Sequence, residues 1–215
     1  MLVVIEGCDA AGKAVQSRIL SNDLSTVHIS FPRYSGPVGD AIGKHLRGEL
    51  EVVDRINGGK KSEYDALYLQ ALLSLDRYIE AADIKRILGD CKHIVCDRYW
   101  QSSFCYGAAD GLDEKMLMDA HKSLPQADIN ILLDVSVAEA KRRRPKARDR
   151  YEENAEKMEI VRANYLRLWA TMKNFEPRNE WHIINGEDTV TSVHKLILDI
   201  VESWRHKNGL SVHFG

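Results

Sequence analysis

Short apolar runs rich in β-branched residues alternate along this chain with longer stretches in which apolar positions recur every three or four residues. The runs at 2–6, 27–31, 93–96, 129–134 and 182–184 predict strands. Helical spacing predicts helices over 12–24, 38–46, 63–88, 113–122, 137–143, 153–174 and 189–206. On 63–88, Leu67, Leu72, Leu75, Ile79 and Ala82 form one stripe, which a helix ordinarily turns to the core. The segment 51–61, with Gly58 and Gly59, is longer than a join between two helices needs. The strands are almost continuously apolar, which marks a parallel sheet covered on both faces. Strand and helix in alternation thus predict an α/β chain, a five-stranded parallel sheet between two layers of helices. Ligands in that architecture bind beyond the carboxyl ends of the strands.

The 215 residues, 44% hydrophobic, are enough for a buried core and predict a single domain over 1–215. Thirty Lys and Arg against 32 Asp and Glu leave a formal charge of −2, which argues against a protein coated for nucleic acid. No apolar run approaches the length of a bilayer span, and residues 1–6 reach Glu6 with no basic region, unlike a signal peptide. Cys8, Cys91, Cys96 and Cys105 form no CxxC pair, and the histidines show no metal-binding spacing. Reduced thiols and a cytoplasmic location are the expectation. The near-neutral total hides one concentration of charge: 141–150 holds seven basic residues and one acid, interrupted by Pro145.

Chemistry enters directly after the first strand. Gly7-Cys8-Asp9-Ala10-Ala11-Gly12-Lys13-Ala14 fits G-x-x-x-x-G-K, in which backbone N–H groups and a helix N-terminus cradle phosphates. Lys13 is placed to reach the β- and γ-phosphates of a nucleoside triphosphate. Ala14 stands where a Ser or Thr hydroxyl normally ligates Mg²⁺, so a metal must lean on water and on the carboxylates Asp9 and Asp97. Arg33, Arg77 and Arg98, from three separate segments, are candidates to converge beside this loop, and a guanidinium suits a phosphate dianion.

In these features the sequence resembles the thymidylate kinase family of nucleoside monophosphate kinases. The resemblance runs from residue 3 to about residue 200. It rests on Glu6-Gly7-x-Asp9-x-x-Gly12-Lys13, Phe31-Pro32-Arg33-Tyr34, Asp76-Arg77, Asp97-Arg98-Tyr99-x-x-Ser102, Leu132-Leu133-Asp134 and Arg150-Tyr151-Glu152 through Arg162 and Tyr165. It implies a three-layer P-loop NTPase fold, a homodimer, and transfer of the ATP γ-phosphoryl to a deoxynucleoside monophosphate, with dTMP the default acceptor. Lys13 and the loop residues 7–14 would hold ATP; Arg98 and Arg33 would hold the acceptor phosphate, and Asp97 the metal's water shell. Asp9 would sit near the acceptor sugar or the metal. Arg77 would contact the base edge, with Ser103 close to the base and Tyr34 and Leu73 in the same pocket. Tyr106 would pack where a ribose 2′-hydroxyl clashes. The basic run would form a mobile lid at about 141–152, with Arg148 first and Arg144 second as the source of transition-state charge.

Three departures leave the acceptor open: Ala14, Leu73 where the family stacks a Phe on thymine, and Gly107, which suggests extra space. A catalytically impaired nucleotide-binding protein, a kinase for another or modified deoxypyrimidine monophosphate, and a deoxynucleoside kinase are the alternatives.

Overall fold

The computed structural model describes residues 1–54, 60–62, 64–90, 92–147, 149, 151–175 and 179–210. In chain order the elements are β1 (Leu2–Glu6), α1 (Lys13–Asp23), β2 (Val27–Ser30), α2 (Gly39–Leu46), β3 (Val53–Asp54), β4 (Lys60–Lys61), α3 (Asp65–Gly89) and β5 (Ile94–Asp97). There follow α4 (Trp100–Ala109), α5 (Glu114–Asp119), β6 (Ile129–Asp134), α6 (Val137–Arg143), α7 (Ala155–Phe175), β7 (Glu180–Asn185) and α8 (Val190–Lys207). Strands β2, β5, β1, β6 and β7 lie side by side in that order, each neighbour parallel.

Successive residues of the central strand serve two cores. Leu2 and Val4 join Ile94 and Cys96 on one face, packed by Ile42, Leu69, Phe104, Leu117 and Tyr165 from α2, α3, α4, α5 and α7. Val3 and Ile5 join Val95 and Ile131 on the other, closed by Leu20 of α1 and by Val193, Ile197 and Val201 of α8. Burial on both faces is why the strands read as unbroken apolar runs. The three-layer α/β architecture expected from the pattern is present.

Three elements differ from expectation, each for a physical reason. Helix α4 has no counterpart in the sequence pattern: Trp100 through Gly107 are all buried, so it has no polar face and no readable period. The long segment after α2 contains a short antiparallel ribbon, with Val53 opposite Lys61 and Asp54 opposite Lys60. Two-residue strands carry no periodicity. The stripe on α3 turns outward in its C-terminal part, with Leu75 and Ile79 exposed at 48% and 39%, while Leu72 packs against the core. The face turned inward instead carries buried Asp65, Gln70, Asp76 and Arg77 among Leu69, Ala81 and Ile84, with Leu69, Gln70 and Arg77 bordering a cavity and Asp65 and Asp76 paired with neighbouring segments. Asp65 Oδ1 bonds His45 Nε2 at 2.8 Å and accepts the N–H of Val52 at 3.0 Å, tying α2 to α3 and the ribbon.

Cys8, Cys96 and Cys105 are free, buried thiols, and Cys91 lies outside the described residues. Among the described residues no helix is long and apolar enough to cross a membrane.

Candidate active site

Strand β1 ends at Glu6, and the chain turns back at once into α1. Gly7 adopts φ 148°, and a Cβ there would stand 2.5 Å from the carbonyl oxygen of Leu133, so the loop hugs the sheet edge as only glycine permits. Ala10 at φ 60° and Gly12 at φ 96° continue the winding. Helix α1 then begins with no side-chain cap and no acidic residue in its first turn. By contrast, α5, α6 and α8 are capped by the side chains of Asp113, Ser136 and Thr189. The N–H groups of Val15 and Gln16 donate to the Gly12 carbonyl, which leaves those of Lys13 and Ala14 for an anion from outside.

Lys13 Nζ donates to the carbonyl of Cys8 at 2.6 Å, which curls the side chain over the loop. Burial, and then the charge of Arg98, lower its pKa from the ordinary lysine value against the pull of Asp9 and Asp97. The Cys8 thiol, pushed up to about 12 chiefly by burial, is inert.

The opposite wall comes from the passage of β5 into α4. Glu6, fully buried, accepts the N–H groups of Tyr99 (2.6 Å) and Ser102 (3.2 Å), the Ser102 hydroxyl (2.7 Å) and the Tyr165 hydroxyl (2.9 Å). This carboxylate satisfies the N-terminus of α4 and fixes where the strand stops. Arg98, at φ 66°, is thereby aimed back at the loop. Its Nη2 donates to Asp9 Oδ1 at 2.6 Å, and its Nη1 to Ser102 Oγ at 3.1 Å and to the Gly7 carbonyl at 3.4 Å. The Tyr106 ring centroid lies 5.6 Å from Arg98 Cζ, and the Tyr106 hydroxyl donates to Asp9 Oδ2 at 2.8 Å. Burial works against the Arg98 charge, but Asp9 foremost outweighs it and holds the guanidinium well above its usual pKa. A permanently charged arginine thus stands beside the phosphate loop.

Both walls face one cavity of about 840 Å³, within the usual range for a ligand pocket. Of the residues expected at the site, Asp9, Ala10, Gly12, Lys13, Ala14, Tyr34, Leu73, Arg77, Asp97, Arg98, Tyr106 and Arg144 line it. Gly7, Cys8 and Ala11 form the back of the loop. Ser103 is fully buried, and its hydroxyl accepts from Arg77 Nη1 at 3.0 Å, so it holds Arg77 instead of lining the cavity. Arg33 does not line the cavity either: its Nη1 pairs with Glu80, and its backbone N–H donates to Asp76 Oδ2 at 2.9 Å. Gly107 does not leave extra space, since a Cβ there would meet Leu117 Cδ2 at 2.8 Å and Gln70 Cδ at 3.4 Å. Arg148, with Arg150, lies outside the described residues.

Asp97 fits a hard cation. It is 7% exposed and lines the cavity; Oδ2 accepts from Ser30 Oγ at 3.4 Å, while Oδ1 has no partner among the described residues. Asp9 fits less well, because both its oxygens already bond to Arg98 and Tyr106. Ser17 offers no substitute for the hydroxyl that Ala14 lacks, as its Oγ lies 2.9 Å from His28 Nε2. A lone carboxylate beside phosphates suits Mg²⁺, which keeps most of its waters.

Among the lining residues that the sequence motifs do not mark, Arg143, Asp149 and Gln70 bear most on the chemistry. Arg143 Nη2 donates to the Gly186 carbonyl at 2.9 Å and Nη1 to that of Ala10 at 3.4 Å, while Nε pairs with Glu139 at 2.8 Å. That contact joins the basic run to the phosphate loop; in the sequence Arg143 is marked by its place in that run and by its i,i+4 spacing from Glu139. Asp149, its pKa raised by burial and then by the charge of Asp9, accepts the N–H groups of Tyr151 and Glu152. Gln70 is the third. Arg144, by contrast with Arg143, pairs with Glu152 at 2.6 Å.

The thymidylate kinase family model matches residues 5–197. The "Probable thymidylate kinase" of Pyrococcus abyssi is 33% identical over 207 residues, covering 93% of this chain and 95% of that protein. The thymidylate kinase of Dictyostelium discoideum is 27% identical over 209 residues, covering 94% and 85%. Among solved structures, the thymidylate kinase of Candida albicans superposes with a TM-score of 0.77 at 24% identity, covering 94% of this chain and 91% of that one. A deoxyadenosine kinase from M. mycoides superposes at 0.67 with 19% identity, covering 94% and 100%. These two likenesses concern the fold. With the phosphate loop, the Asp97-Arg98 wall and a family match spanning nearly the whole chain, this protein belongs to the thymidylate kinase family.

Proposed function

We propose that the protein transfers the γ-phosphoryl group of ATP to dTMP, giving ADP and dTDP. The carrying observation is that one cavity brings together Lys13 and the start of α1 with Arg98 and Tyr106 of the β5–α4 wall, the two joined through Asp9 of the phosphate loop. An oxygen of the acceptor phosphate attacks the γ-phosphorus as the bond to the β-phosphate oxygen breaks, so no protein nucleophile is needed. Catalysis is then positioning and neutralisation of charge. Lys13 and the loop hold the donor, and Arg98 holds the acceptor phosphate. Tyr106, fixed by Asp9, packs against the deoxyribose. Asp97 Oδ1 is the group that would hold Mg²⁺, which when bound neutralises charge on the β- and γ-oxygens.

Residues 141–152 are proposed as the lid. Arg144 is its candidate for charge at the transferred group, Arg143 fastens its base, and Arg148, the other candidate, lies outside the described residues. The exposed apolar face of α3 supports a homodimer. Soluble nucleotides as substrates agree with a cytoplasmic enzyme that needs neither nucleic acid nor membrane.

The test is ADP release with Mg·ATP and each of dTMP, dUMP, dCMP, dGMP and dAMP. We expect dTMP to be the preferred acceptor, and Arg98→Ala to lower its kcat/KM roughly 100- to 1,000-fold. No turnover with any of the five would overturn the assignment.

A further inference from the structure

The cavity holds a polar group that the other described residues do not use. Gln70, 3% exposed, lines the cavity, and neither Nε2 nor Oε1 of its amide has a hydrogen-bond partner among the described residues. Buried amides are normally paired, because an unmade hydrogen bond is expensive where water is excluded. Gln70, Leu73 and Arg77 are spaced i, i+3 and i+7 on α3 and share one face of the helix. Backbone of α4 backs the amide, since a Cβ on Gly107 would stand 3.4 Å from Gln70 Cδ.

Arg77 limits what this part of the cavity can bind. Its Nη1 donates to the Leu73 carbonyl at 2.7 Å and to Ser103 Oγ at 3.0 Å, and its Nη2 to the Tyr99 carbonyl at 2.6 Å; Nε has no partner. What remains is a guanidinium that can only donate, and an amide that both donates and accepts. An amide alone pairs with a cytosine edge or, turned over, with an imide edge. A donor-only neighbour favours the imide, whose carbonyl accepts, over an exocyclic amine.

Building on the proposed acceptor site, we infer that Gln70 reads the imide edge of a thymine or uracil base. Its Oε1 accepts the N3–H and its Nε2 donates to the adjacent carbonyl. Leu73 supplies only apolar contact, so base selection rests on this polar pair.

The experiment compares dTMP with 3-methyl-dTMP, which lacks the N3–H, in wild type and in Gln70→Met, which keeps the length and loses the amide. Wild type should prefer dTMP roughly 10- to 100-fold in kcat/KM. In Gln70→Met that preference should shrink to within about threefold and the KM for dTMP should rise about tenfold. A variant that keeps the full preference overturns the role of Gln70 while leaving the kinase assignment standing. Calorimetric binding of both nucleotides to the wild type needs no variant, and equal affinities would refute the inference by themselves. If the wild type turns over no monophosphate, both readings fall.

Discussion

At the residue scale, the site shows how one missing atom is handled. Ala14 removes the hydroxyl that this loop normally offers to Mg²⁺, and Ser17, one turn on, is bonded to His28 and cannot replace it. Asp97 lines the cavity, and its buried Oδ1 has no hydrogen-bond partner among the described residues. Metal affinity should therefore be weak and phosphoryl transfer intact, since the charge neutralisation of Lys13 and Arg98 does not pass through Ala14. Ala14→Thr should lower the Mg²⁺ concentration for half-maximal rate several-fold, with kcat moving by less than about tenfold. A magnesium titration of both proteins checks this; activity that appears only in the variant would mean the native site is catalytically retired. The loop, Asp97 and Arg98 were legible because glycine spacing and charged residues at strand ends have few other uses in that order. Gln70 was not legible, because a single amide in a helix reads as surface until its burial is known.

At the scale of elements, α3 carries the sharpest disagreement between pattern and structure. Periodicity assigns Leu75, Ile79 and Ala82 to a core stripe, yet they face outward while Asp65, Gln70, Asp76 and Arg77 are buried. A hydrophobic stripe reports which residues leave water and says nothing about what receives them. Here the polar face is buried, Gln70 and Arg77 against the cavity, Asp65 against His45 and Asp76 against the Arg33 backbone, and the apolar face awaits another surface. A second copy of α3 is the proposed occupant, because an exposed row of Leu75, Tyr78 and Ile79 is unusual on a monomer. Leu75→Glu with Ile79→Glu should halve the mass found by light scattering and leave the helical circular dichroism unchanged. A wild type that is already monomeric would defeat this assignment. The same logic explains why α4 escaped detection: buried all round from Trp100 to Gly107, it presents no contrast from which a period can be read.

For the whole molecule, the layered architecture was legible because both faces of the sheet are covered, whereas the strand order depends on contacts far apart in sequence. That burial has a consequence for stability against pH. His121 is buried where α3 meets α5, with Nε2 3.0 Å from Ser74 Oγ and Nδ1 2.8 Å from the Leu117 carbonyl. Burial first, and the charge of Arg77 second, lower its pKa from 6.5 to about 4. Below pH 6.5 the unfolded chain takes up a proton that the folded chain refuses, so the stabilisation present above 6.5 is lost as the pH falls toward 4. At about 1.4 kcal/mol per pKa unit the full loss is about 3 kcal/mol, of which about 1 kcal/mol has gone by roughly pH 5.5. His28 and His93, also lowered by burial, act in the same direction. Buried Asp76 and half-buried Asp149 have raised pKa values, so their neutral forms are favoured in the folded state and they oppose the trend as acid is added. Urea midpoints for wild type and His121→Gln at about pH 7.5 and 5.5 isolate the histidine. The variant should start less stable and lose about 1 kcal/mol less over that interval, and equal losses in the two proteins would show that His121 titrates as it does in water.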